Sequence, residues 1–172
     1  MANTYTLIAS TTVGSGGAAT ITFSSIPATY TDLKIVISGR TNRTSIYDYV
    51  KMKFNSSATS YSDRNINGNG STAASETNNS TTYGFVYVLD AANSAANTFG
   101  SIDIYIPNYA GSNNKSYSAD GVEEDNATGA LMALTAGLWS NTAAITTIDL
   151  SSATGNNFVQ YTTAYLYGIR NS

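Results

Sequence analysis

The chain contains no cysteine and no histidine, and only two prolines in 172 residues. Without cysteine there is no disulfide framework, no thiolate zinc site and no thiol nucleophile. Without histidine it lacks the side chain that titrates near neutrality unaided and most often serves as metal ligand or general base. A Ser-His-Asp triad and an imidazole-bound zinc water are therefore excluded, and acid–base chemistry would fall to carboxylates, lysine or tyrosine. Charge is scarce too: Asp, Glu, Lys and Arg make up 11% of the chain, less than half of the usual ~25%. Eight basic against eleven acidic residues, with no basic cluster, leave no electrostatic footprint for a phosphate backbone or an anionic membrane. No apolar run approaches the length of a membrane span, and the opening Met1-Ala2-Asn3-Thr4-Tyr5 has neither part of a secretory signal. These absences lower the expectation of an enzyme and point away from nucleic-acid and membrane partners.

Serine, threonine and asparagine are what is abundant, together 64 residues, along with thirteen tyrosines. Their surface is neutral and polar. Beneath it runs an apolar period of two, the spacing of a strand with one buried face. Over 30–39, Leu33, Ile35 and Ile37 alternate with Asp32, Lys34, Val36 and Ser38; over 49–54, Val50, Met52 and Phe54 alternate with Lys51 and Lys53. Tyr5–Leu7, Ile21–Phe23, 83–89, 99–106 (Ile102, Ile104, Ile106) and 115–119 (Lys115, Tyr117, Ala119) read the same way. At 130–139 a short helix competes through Leu131, Met132, Leu134 and Leu138, but Thr135, Gly137 and β-rich neighbours favour a strand. The last strand is expected over 158–169, with Val159, Tyr161, Thr163, Tyr165, Tyr167 and Ile169 on one face. Between these lie an alanine-rich connector at 91–96 with room for one helical turn, a long exposed polar loop at about 62–82, and an acidic turn from Asp120 to Asp125. Nine or ten short strands without a fixed repeat predict a single all-β domain over 1–172, an antiparallel, jelly-roll-like β-sandwich.

Three phrases carry a resemblance: Tyr5-Thr6-Leu7-Ile8-Ala9-Ser10, the stretch Ser25-Ile26-Pro27-Ala28-Thr29-Tyr30-Thr31-Asp32-Leu33, and the close Tyr165-Leu166-Tyr167-Gly168-Ile169. They resemble uncharacterised structural proteins of tailed bacteriophages, marine ones especially, and the likeness spans nearly the whole chain except 63–82. The resemblance implies a non-enzymatic virion component of jelly-roll type, made in the host cytoplasm: a capsid decoration or cement protein, or a module of a tail appendage. It also implies partners: other copies of the chain in a cyclic oligomer such as a trimer, and the major capsid protein or another virion protein. It brings no catalytic residues and no cofactor.

Candidate sites are few. Asp120, Glu123, Glu124 and Asp125 could supply the oxygen ligands that calcium prefers, although their spacing is not that of a helix–loop–helix calcium site and a solvated acidic turn is the simpler reading. Tyr161, Tyr165 and Tyr167 on one strand face could stack on a host-surface glycan, or pack in the core or against a second copy. Arg40 and Arg43 could pair with a neighbouring subunit's carboxylate. Asp103 and Asp149 point outward from their strands, so no acid pair of the kind glycoside hydrolysis requires can be assembled from the pattern.

Overall fold

The computed structural model describes residues 4–125 and 129–170. It contains twelve strands and, among the described residues, no helix. The strands are β1 (Tyr5–Thr12), β2 (Thr20–Phe23), β3 (Asp32–Gly39), β4 (Tyr47–Phe54), β5 (Tyr61–Gly68), β6 (Ala73–Thr81), β7 (Gly84–Asp90), β8 (Gly100–Ile106), β9 (Lys115–Glu124), β10 (Ala130–Trp139), β11 (Ile148–Ser152) and β12 (Thr163–Ile169). An eight-stranded sheet runs β1-β12-β3-β8-β9-β10-β5-β6 and a four-stranded sheet runs β2-β11-β4-β7. Every pairing within them is antiparallel.

Setting aside the hairpins β5–β6 and β9–β10 leaves two four-stranded sheets, β1-β12-β3-β8 and β2-β11-β4-β7. The first remaining strand pairs with the last and the second with the next to last, as in a chain hairpin rolled around a barrel. This is the eight-stranded jelly roll. The two hairpins are insertions, one between β4 and β7 and the other between β8 and β11. They pair with each other through β10 and β5 and widen one sheet only. The larger sheet therefore overhangs the edge strand β7 of the smaller one.

The core follows from alternation. Leu33, Ile35 and Ile37 of β3, Ile102, Ile104 and Ile106 of β8, and Ala164 and Leu166 of β12 face Val50, Met52 and Phe54 of β4 and Ile148 and Leu150 of β11. Trp139 lies in this core, stacked on Tyr61 at 6.1 Å between ring centroids and tilted against Phe54 at 5.7 Å. Burying a side chain of this size contributes about 1.5–3 kcal/mol, which is how the layers hold without a disulfide.

Four expectations need correction. Residues 62–82 are not a loop: β5 and β6 occupy most of them, joined by a short turn in which the Asn69 side chain accepts hydrogen bonds from the Ser71 and Thr72 amides (3.0 and 2.8 Å). Asp120 to Asp125 is not a turn; β9 runs to Glu124, with Gly121 paired to Ala133 inside the sheet. The connector at 91–96 forms turns without a helical turn, because the Arg40 guanidinium takes up its carbonyls. The last strand begins at Thr163. Phe158 reaches the core from outside it through bridges to Ala18 and Thr41, and Tyr161 sits at φ 71° in the turn before β12.

Candidate functional site

The outer face of the overhang carries a cluster of exposed apolar side chains. On the large sheet Val122 of β9, Met132 and Leu134 of β10 and Ile66 of β5 all point away from the core, with relative exposures of 46%, 62%, 53% and 60%. Register makes them contiguous: Met132 stands opposite Val122, and Leu134 is flanked by Asp120 on one side and Ile66 on the other. Small residues of β6, Ala73 and Ser75, lie beside Gly68 and Ile66 and leave the floor open. The result is a groove of about 660 Å3 lined by these side chains with Asp120 at its rim.

At the other end of the same face the aromatic residues gather. Tyr165 and Tyr167 of β12 are stacked at 6.4 Å with 23° between ring planes, and both face outward. Leu7 stands opposite Tyr167, which is followed across the sheet by Lys34 and Tyr105. The Tyr105 hydroxyl donates to Asp32 at 2.7 Å, and that bond, with burial and the charge of Asp32, pushes the phenol up to about 12. Lys34 pairs with Asp103 at 2.8 Å; that hydrogen bond raises the Lys34 ammonium above its usual range. Asp103 is directly opposite Asp120 in the sheet, on an open face with no cleft between them.

No family model, no curated protein and no solved structure matches the chain. What its surfaces can do is therefore argued from their geometry.

Of the tyrosines singled out by sequence, Tyr165 and Tyr167 share a face and Tyr161 does not, since it lies in the preceding turn and is exposed on its own. The buried face of β12 is Ala164 and Leu166, so the tyrosine face is the outer one rather than the core one. Asp149 holds Thr22 and Ser56 at 2.8 and 3.0 Å on the outside of the small sheet. Arg40 does not await a neighbour: its guanidinium donates to the carbonyls of Ala92, Ser94, Ala95 and Thr98 and shapes the 91–99 connector. Arg43 donates to the Tyr47 carbonyl at 3.1 Å and lies 3.7 Å from the buried carboxylate of Asp48.

Strand alternation also disperses the acidic segment. Asp120 and Glu124 point out, whereas Glu123 and Asp125 are buried. Among the described residues no group of three or more acids is placed to hold a metal ion. Glu123 is 2% exposed and neither of its oxygens has a hydrogen bond of normal geometry. Burial first, then the charges of Asp90, Asp125 and Glu124, push its carboxyl up to about 7, with the Leu131 backbone offsetting a part. A carboxyl raised in the folded state contributes stability that is complete below its unfolded pKa and is lost as pH rises through the folded one. Unfolding free energy should therefore fall by roughly 2–3 kcal/mol between about pH 5 and pH 8. Urea titrations of the wild type and Glu123→Gln should show that slope in the first and its loss in the second.

Sequence reasoning missed the groove. The signal was available in Met132 and Leu134, two residues apart on one strand face, but at 130–139 both faces are apolar and period alone does not say which is covered.

Proposed function

We propose that this protein is a non-enzymatic structural component of a phage particle, a decoration or cement protein that self-associates and grips the head surface through the outer face of its larger sheet. The observation that carries the reading is the apolar groove of Ile66, Val122, Met132 and Leu134, built entirely by inserted hairpins and left open to solvent. Jelly rolls serve widely as viral capsid and lectin domains, which adds support by analogy of fold alone. The virion itself is an inference from the resemblance of the opening, the Pro27 turn and the closing strand. Copies joined into a closed ring would present the same patch several times to one surface.

The test is a Met132→Glu, Leu134→Glu variant. Both side chains are exposed, so the melting temperature should stay close to wild type, while light scattering should show a smaller oligomer and particle-binding assays should show lost retention on heads. A wild-type chain that is monomeric and missing from the mass spectrum of purified particles would end this reading. The stacked, outward Tyr165–Tyr167 pair favours a second one, an appendage module that binds host glycan. Glycan-array binding abolished by Tyr165→Ala, with oligomer and head retention untouched by the glutamate variant, is the outcome that selects it.

A further inference from the structure

The inner side of the overhang holds a different kind of surface. Beside the edge strand β7 of the small sheet, a cleft of about 130 Å3 is lined by Tyr49 of β4, Phe85 and Tyr87 of β7, and Glu76 of β6. The rings stand at steep angles to one another: Tyr49 meets Phe85 at 6.2 Å and 83°, and Tyr87 at 5.6 Å and 74°. Tyr47 closes on Tyr49 from outside at 5.5 Å and 69°. Three walls of the cleft are thus aromatic, with Phe85 and Tyr87 both steep to Tyr49, and the fourth carries one exposed carboxylate.

We propose that this cleft is an aromatic cage for a small organic cation, a quaternary ammonium or methylated amine of the choline type. The negative faces of aromatic rings attract a cation within about 6 Å, and a weakly hydrated quaternary ammonium gives up little by leaving water. Glu76 supplies the countercharge at the mouth. Rings at this end of the molecule already accept the protein's own cations: Arg43 lies 6.0 Å over Tyr49 and Lys51 lies 5.3 Å over Tyr83. Neither of those cations lines the cleft; the Arg43 guanidinium is anchored by Asp48 and the Tyr47 carbonyl while it lies over Tyr49. Burial raises the phenols of Tyr49, to about 12, and of Tyr87, so both stay neutral hydroxyls at physiological pH. A neutral sugar is the poorer fit, because a pyranose needs several convergent polar groups and only one charged side chain lines this cleft.

The cage is separate from the outer groove and does not depend on the role proposed for it. The experiment is titration of the full chain by NMR with choline, and in parallel with dimethylbutanol, its uncharged carbon isostere. Choline should bind saturably in the millimolar range and about 10-fold or more tighter than the alcohol. Glu76→Gln, an exposed substitution that leaves the melting temperature in place, should remove most of that preference, and Tyr49→Ala should abolish binding. Phosphocholine and phosphatidylcholine vesicles form two further arms, which distinguish a soluble or polysaccharide-borne headgroup from a lipid surface while presenting the same cation. Equal affinity for choline and the alcohol, no saturable choline binding, or a Glu76→Gln chain that binds like wild type would each overturn the proposal. Binding of N-acetylglucosamine in place of choline would overturn it as well.

Discussion

Replacing Gly137 with alanine is expected to lower the melting temperature by about 10 °C, the size of a loss of about 3 kcal/mol in a domain of this length. The reason is Tyr117. Gly137 of β10 is the cross-strand partner of Tyr117 on β9, and a Cβ at Gly137 would fall 1.9 Å from the Tyr117 ring carbon that bears the hydroxyl. On the other side of the ring, a Cβ at Gly84 of β7 would lie 2.3 Å from the hydroxyl oxygen. The tyrosine is thus clamped between glycines of the two sheets, with its hydroxyl donating to the Phe85 carbonyl at 3.1 Å and its edge against Phe54 at 6.1 Å. A methyl group on either glycine needs space that the ring cannot give up without leaving the core, and overpacking of this kind costs about 1–3 kcal/mol or more. Calorimetry would check it. A Gly137→Ala chain that melts with the wild type would refute the account, and a Tyr117→Leu change added to it should return part of the loss.

Asp48→Ala should be comparably severe, at about 3–5 kcal/mol. Its carboxylate is fully buried at the start of β4 and accepts hydrogen bonds from the Thr41, Ser152 and Thr154 hydroxyls and the Tyr49 amide, at 2.7 to 2.9 Å. Arg43 is the nearby cation. Three separate pieces of chain meet on this one group: the segment after β3, the strand β4, and the turn after β11. Alanine would leave the two buried hydroxyls of Thr41 and Ser152 without this acceptor, each a desolvation loss of about 1–3 kcal/mol. Asp48→Asn keeps the shape and half the acceptor capacity, so it should lose clearly less. Urea unfolding with an unchanged m-value would separate a stability loss from a changed denatured state; equal stability of Asp48→Ala and wild type would show that the cluster is ornamental.

The sandwich was legible because β3, β4 and β8 bury one face and expose the other, so that Ile35 or Met52 inside and Lys34 or Lys51 outside write the period into the sequence. The inserted hairpins broke that rule. In β5 the inward residues after Tyr61 are Asp63 and Asn65, and Ile66 points outward with Arg64, since this end of the hairpin extends past the core. Asp63 is held there by Asn78 at 2.8 Å, and burial raises its carboxyl above the usual range. A strand with polar residues inside and an apolar one outside reads as loop. Likewise β9 continues through Gly121 and Glu123, whose inward positions carry no apolar signal after Ala119. In β12 leucine and tyrosine alternate, both large, so periodicity located a strand but left open which face is buried. The aromatic cage lay deeper still. Tyr49, Phe85 and Tyr87 come from known strands, but their meeting with Glu76 depends on how far β6 reaches past β7.

The pairing of β1 with β12 sets an order on how the chain can fold. β12 also separates β1 from β3, so β1 has no neighbour in its sheet until β12 is made. About 150 residues lie between them, and at roughly 5–20 residues per second on the ribosome that is a wait of some 8 to 30 seconds. During it Tyr5, Leu7 and the underside of β3 are open to any other β-edge in the cell. The roll therefore cannot close before β12, a seven-residue strand, has been made.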